Sequence, residues 1–130
     1  MSEMILMKPK STNPKDAIGS VKAPMTTVPF NVIVELGLGM MEGDRKYGRH
    51  NYRASKVDAS IYIDAAFRHL MAWWEGEDID PDSGLSHLIK AMASLTVLRD
   101  AESGGFMVDD RPPNGPYQFI QKANEMPAGS

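Results

Sequence analysis

Residues 61–74 read Ile-Tyr-Ile-Asp-Ala-Ala-Phe-Arg-His-Leu-Met-Ala-Trp-Trp. Ile61, Ala65, Phe67, Leu70, Met71 and Trp74 recur at helical spacing, which predicts one amphipathic helix. Asp58 or Ser60 stands where an N-cap belongs, and Gly76 follows where the helix should stop. Upstream, Pro29 suits a first helical turn, and Val32, Ile33, Leu36, Met40 and Met41 mark an apolar face that runs to Gly43 or Tyr47. Three glycines inside that segment weaken its regularity. Between the two helices, Tyr47 to Lys56 is polar and basic and reads as a connecting loop.

Downstream, Glu77 to Ser83 is an acidic link. Asp80-Pro81 offers a capping side chain followed by a first-turn proline, so a third helix is expected from there to Ser103. Its stripe of Leu85, Leu88, Ile89, Met92, Leu95, Thr96 and Leu98 is wider than a lone surface helix needs. The fold class is therefore all-α, a helical bundle completed by another subunit. The boundaries expected are an N-terminal arm over residues 1–28, a helical domain over 29–103 and a Pro/Gly-rich tail over 104–130. Ser11 to Thr27 reads as an arm rather than an element. Arg111 to Pro116 is rich in breakers and is expected to pack loosely or wrap a neighbour, with a short helical turn near Phe119 to Ala123.

The net charge of −3 gives no broad attraction for a polyanion, so a nucleic-acid polymer is disfavoured while a small phosphorylated ligand needs only a local basic patch. The absence of cysteine removes disulfides, thiolate zinc sites and cysteine nucleophiles, and fits a reducing compartment such as the cytoplasm. Met4 to Met7 is too short an apolar run for a signal peptide, and no stretch reaches membrane-spanning length.

Glu35 and Glu42 are two helical turns apart with Gly39 between them, so their carboxylates share a face and suit an oxygen-ligated Mg²⁺; two solvated glutamates is the plainer reading. Asp64 sits beside Ala65 and Ala66, where small neighbours admit a ligand, or it pairs with Arg68 one turn on. The run Glu75, Glu77, Asp78, Asp80, Asp82 resembles the opening of a calcium loop. It lacks the glycine and the closing glutamate, leaving a magnesium-binding edge or a solvated helix-capping link.

Arg45, Lys46, Arg49, His50, Asn51 and Arg53 crowd the loop beyond Glu42, either to hold phosphate oxygens or as a solvated basic loop. Gly43 and Gly48 mimic a P-loop, but Arg49-His50 stands where Lys-Ser/Thr is needed. His69 and His87 each stand alone on their helices, which favours packing or hydrogen bonding over metal ligation. Trp73 and Trp74 suit packing, or stacking on a base.

The motifs Asn13-Pro14-Lys15-Asp16, Lys46-Tyr47-Gly48-Arg49-His50-Asn51-Tyr52-Arg53, Asp64-Ala65-Ala66-Phe67-Arg68-His69-Leu70 and Trp73 to Asp80 resemble the phage dATP/dGTP diphosphohydrolase family. Ser83-Gly84-Leu85 with His87 extends the likeness, which spans roughly Asn13 to Asp100. Within the family the chain looks most like the MazZ proteins of phages that use 2-aminoadenine. The resemblance implies a MazG-like all-α nucleoside triphosphate pyrophosphohydrolase that uses Mg²⁺ or Mn²⁺. It implies dGTP as substrate, with GTP and dATP as further candidates, and a monophosphate product that feeds 2-aminoadenine synthesis in the cytoplasm of an infected bacterium. A homodimer or homotetramer is also implied.

MazG relatives carry an ExxE pair and a facing ExxD pair. Here Glu35 suits the first position, whereas Leu38 stands in the second. Glu42 is the candidate replacement and Asp64 the candidate from the facing helix, giving Glu35, Glu42 and Asp64 as catalytic residues and Glu77 and Asp78 as further metal ligands. Lys46, His50, Asn51, Arg53, Arg68 and Trp73 are the candidate substrate contacts. A non-catalytic purine-nucleotide-binding module and a purely structural helical oligomer are the competing readings.

Overall fold

The computed structural model of the chain describes residues 13–125 and 127. The apolar run Met4 to Met7 and the first part of the arm lie outside the described residues. By their internal contacts, the described residues up to Val34 and those from Glu35 onward form two compact units. The first holds α1, Pro14–Gly19, then one 3-10 turn, Met25–Thr27, and the opening of α2, Phe30–Tyr47. The arm was expected to lack elements, yet Asn13 caps α1 by accepting from the Lys15 amide at 3.0 Å, and Pro14 preorganises its first turn.

The second unit contains the rest of α2, then α3 (Asn51–Ala54), β1 (Val57–Asp58), α4 (Ala59–Trp74), α5 (His87–Gly104), β2 (Met107–Val108) and α6 (Tyr117–Ala123). The all-α expectation holds, with one small addition. Val57 and Asp58 pair in parallel with Met107 and Val108, so the chain after α5 returns to the start of α4. That return also supplies the cap of α4. Asp110, rather than Asp58 or Ser60, accepts from the Ser60 amide at 2.8 Å and from the Ser60 hydroxyl. Part of the tail is therefore built into the domain. Its backbone groups find partners there, which a loose segment would leave to water.

α4 and α5 form the main packed pair. Their facing stripe is not the one the large apolar residues predicted. On α4 it is Ala59, Tyr62, Ala66 and His69, at alternating spacings of three and four. On α5 the buried positions are His87, Ile89, Ala91 and Ala101. Small side chains let the two backbones approach, and the bulkier Ile61, Phe67, Leu70, Met71 and Trp74 are left exposed. α2 approaches α5 in the same way: a Cβ on Gly39 would meet Ile89 Cγ2 at 3.1 Å. α5 stops at Gly105, whose φ of 80° suits glycine, and both Gly105 and Phe106 donate to the Ala101 carbonyl.

The third helix starts later than the Asp80-Pro81 pattern predicted. Residues 81–84 form a turn, and α5 begins at His87 with Ser86 as its cap, accepting from the Leu88 amide at 3.1 Å. Asp80 is a capping residue after all, but it caps that turn.

Val57 is fully buried and carries the register of the β1–β2 pair. Val57→Ala removes two buried methyl groups and is expected to lower stability by about 2 kcal/mol in urea unfolding, with native helicity kept. An unchanged midpoint would mean the parallel pair contributes nothing to the fold.

Candidate functional site

Two places in the second unit carry chemistry. The first is a cleft between α2, the loop after it, α4 and α5. Its lining includes Gly39, Gly43, Tyr47, Asn51, Tyr52, Tyr62, Lys90 and Ser94. The absence of side chains at Gly39 and Gly43 opens the α2 wall. Gly39 fits against Ile89, while a Cβ on Gly43 would meet nothing within 4 Å. Three tyrosine rings, one amide and one ammonium are the usual furnishing of a pocket for a flat heteroaromatic ring that bears polar edges. Burial raises the Tyr62 phenol above its ordinary range, with Tyr47 and Asp58 adding to the effect, so the ring stays neutral.

Beside the cleft lies a network of paired charges. Glu42 is bound by Lys46 at 2.9 Å and by Lys90, and Lys46 also reaches Asp82. Burial would raise the Glu42 carboxyl, but the two ammonium groups outweigh it and hold Glu42 below the ordinary carboxylate range. Asp82 and Glu42 in turn raise Lys46. Arg53 forms a two-pronged pair with Asp100, at 2.9 and 2.6 Å.

The second place is the turn between α4 and α5. Asp80 is 8% exposed, and its carboxylate accepts from the Ser83 hydroxyl at 2.7 Å, the Ser83 amide at 3.2 Å and the Asp82 amide at 3.3 Å. Burial opposes ionisation there; the Ser83 and Asp82 donors, with His69, outweigh it and keep the carboxyl below its ordinary value. The Asp80 amide donates to the Leu85 carbonyl at 2.8 Å and the His87 amide to the Asp78 carbonyl at 3.0 Å, which closes the turn.

His87, 4% exposed, places Nδ1 2.8 Å from His69 Nδ1 and Nε2 2.7 Å from Glu77 Oε1. One ligand atom from each of His69, Asp80 and His87 lies within 4.8 Å of the others. No other group of three or more histidine, aspartate or glutamate side chains among the described residues meets that limit.

The carboxylates expected to hold a metal are not gathered into such a group. Glu35 and Asp64 are exposed and make no ion pair among the described residues, and both oxygens of Glu42 are taken by lysines. Asp64 lies in a separate hollow with Ser60, Arg99 and Arg111. Glu77 serves His87, and the Asp78 carboxylate is exposed. A single chain therefore does not close the expected carboxylate set around one ion.

Among the expected substrate contacts, Asn51 lines the cleft. Lys46 and Arg53 are paired with acids, and His50 is exposed at a left-handed φ of 58°. Arg68 and Trp73 line an apolar groove with Phe67, Met71 and Leu88.

Sequence reasoning missed Tyr62 and Lys90 in the cleft, and the His69–His87 contact. A pattern for the last was present: Asp80-x-x-Ser83-Gly84 is the signature of a side-chain-closed turn, and such a turn folds the second histidine back beside the first.

The family described as dATP/dGTP diphosphohydrolase, N-terminal, matches residues 12–111. A protein of Salmonella phage PMBT28 named dATP/dGTP diphosphohydrolase is 30% identical over 77 residues, which cover 59% of this chain and 26% of that protein. The match spans about a quarter of that relative's length. No solved structure matches the chain significantly.

The cluster has a consequence for acid stability. Burial, aided by His87, Lys90 and Arg68 against the opposing Asp80, lowers the His69 pKa from its ordinary value of about 6.5. Between that depressed value and 6.5 the unfolded chain binds more protons than the folded one. Stability should therefore be full above pH 6.5 and fall as the pH drops through the window below it. Urea unfolding from pH 7.5 to 5 is expected to show this fall, reduced in His69→Gln. An equal slope in that variant would assign the titration to another group.

Proposed function

The chain belongs to the dATP/dGTP diphosphohydrolase N-terminal family, and from that premise we propose that it hydrolyses a purine nucleoside triphosphate to the monophosphate and pyrophosphate. The match over residues 12–111 carries this reading. The leading substrate is dGTP, with dATP and GTP behind it. Water adds to the α-phosphorus, the bond from that phosphorus to the bridging oxygen breaks, and pyrophosphate leaves. The catalytic portion is residues 29–103, and the dGMP produced supplies a 2-aminoadenine nucleotide route in the cytoplasm of an infected bacterium.

The purine is assigned to the cleft, where Tyr52 and Tyr62 offer ring faces and the Asn51 amide can both donate to and accept from a purine edge. The triphosphate runs toward the basic loop. Arg49 and Arg68 make no ion pair among the described residues, whereas Lys46 and Arg53 must exchange Asp82 and Asp100 for phosphate oxygens. His50 belongs to the same loop, whereas Arg68 and Trp73 line the separate groove on α4 and would reach a nucleotide only from a partner chain.

Glu35 and Asp64 with Glu77 and Asp78 would hold Mg²⁺ or Mn²⁺, which would supply charge neutralisation and a water of lowered pKa. Glu42 joins this set only by releasing a lysine. Because one chain leaves these acids apart and exposes Phe67, Leu70, Met71 and Trp74, the working unit is assigned to a homodimer or homotetramer in which acids from two chains meet. Exposed aromatic and aliphatic side chains on one helix are what such an interface would cover.

A second reading is a nucleotide-binding module without turnover. The engagement of Glu42 with Lys46 and Lys90 favours it, because a carboxylate so paired is a poor metal ligand.

Incubation with each triphosphate and Mg²⁺ or Mn²⁺, with chromatography of the products, separates the two. The expected result is dGMP and pyrophosphate from dGTP. Glu35→Gln and Asp64→Asn should each lower kcat by at least about 100-fold, since even an outer-shell partner of a metal site is worth about 10- to 100-fold. Asn51→Ala should raise KM by about 10-fold with kcat retained, the value of one hydrogen bond. Nucleotide binding without turnover under either metal would establish the second reading.

A further inference from the structure

We propose that His69, Asp80 and His87 bind one divalent transition-metal ion, such as Mn²⁺, Fe²⁺, Co²⁺ or Ni²⁺. Its three ligands are not among the carboxylates proposed for a nucleotide-bound Mg²⁺, and Glu77 borders both sites.

The donor set is two imidazole nitrogens and one carboxylate, with one ligand atom of each within 4.8 Å of the others. Two imidazole Nδ1 atoms 2.8 Å apart are compatible with only two states. Either one nitrogen carries a proton directed at the other, or both lone pairs face a shared cation. An ion about 2.1 Å from each nitrogen, with the nitrogens at right angles, sets them about 3.0 Å apart, whereas tetrahedral ligation needs about 3.4 Å. The observed spacing is that of an N–H···N hydrogen bond, and a small outward adjustment of the two rings would admit an ion between them.

The surroundings orient each ligand. His87 Nε2 lies 2.7 Å from Glu77 Oε1, which keeps the proton on Nε2 and turns the Nδ1 lone pair toward His69. This is the outer carboxylate that accompanies histidine ligands in metal sites. Asp80 is fixed by two Ser83 donors on Oδ2 and by the Asp82 amide on Oδ1, so Oδ1 keeps a lone pair for an ion. His87 and Asp80 are both buried, so water competes weakly for the ion. Lys90, the nearest cation on α5, is paired with Glu42. Two nitrogen donors disfavour Mg²⁺, which takes oxygen ligands, and select the transition ions that imidazole suits. The ligands come from α4, the turn and α5, so the ion would also pin the α4–α5 junction.

The test is Co²⁺ titration of the full chain without nucleotide, in excess Mg²⁺ to fill oxygen sites, read by visible absorption and by metal content after dialysis. One Co²⁺ per chain is expected, insensitive to Mg²⁺, with a raised melting temperature. His69→Gln, at the half-buried ligand, should weaken binding at least 10-fold with far-UV circular dichroism unchanged, and Asp80→Asn should do the same where it folds. His50→Gln, on the exposed loop, should leave binding intact. No Co²⁺ retained against Mg²⁺, or equal affinity in His69→Gln, would overturn the site and leave a Glu77–His87–His69 hydrogen-bonded chain in its place. The readout needs no turnover, so an inactive protein that binds Co²⁺ keeps the site, and an active one that does not keeps the hydrolase reading.

Discussion

The buried carboxylate of Asp80 is the constraint on which the helical hairpin depends. A buried, unpaired carboxylate would be costly, and this one is stabilised by three donors from the turn it closes. Those bonds keep the chain from continuing as helix at Pro81. They delay α5 to His87 and set that histidine against His69 on the preceding helix. With the turn fixed, Ala59 and Ala66 of α4 can pack closely on α5, and α5 in turn presents Lys90 and Ser94 to the cleft.

The same arrangement explains why the acids and bases nearest the cleft neutralise one another. Glu42 faces two lysines, and Arg53 faces Asp100. A cleft built this way carries little net field of its own. An arriving triphosphate would have to displace acids from basic groups, so metal ions and phosphate oxygens rearrange an existing network rather than fill an open one. The apolar outer face of α4 and the scattered carboxylates both gain a purpose if a second copy of the chain completes the site.

The three long helices were legible because each carries apolar residues at helical spacing over about three to four turns. Direction was less legible. Phe67, Leu70, Met71 and Trp74 outweigh Ala59, Ala66 and His69 in hydrophobicity, yet the small residues face inward because they allow close helix contact. Long-range pairings such as Val57 with Met107, Ser60 with Asp110 and Glu42 with Lys90 join residues about 50 positions apart. Nothing in local periodicity encodes them. Asn51 lines the cleft because the basic segment that carries it follows α2 directly. The histidine pair was missed because a proline after an aspartate reads equally as a helix start or a turn, and only the Ser83-Gly84 continuation separates the two.

On the proposed reading, water attacks the α-phosphorus of a purine deoxynucleoside triphosphate. Hydrolysis of dGTP in ¹⁸O-water, followed by mass spectrometry of both products, tests it most directly. The expected result is the label in dGMP and none in pyrophosphate. Label in pyrophosphate, or release of labelled inorganic phosphate with dGDP, would contradict it.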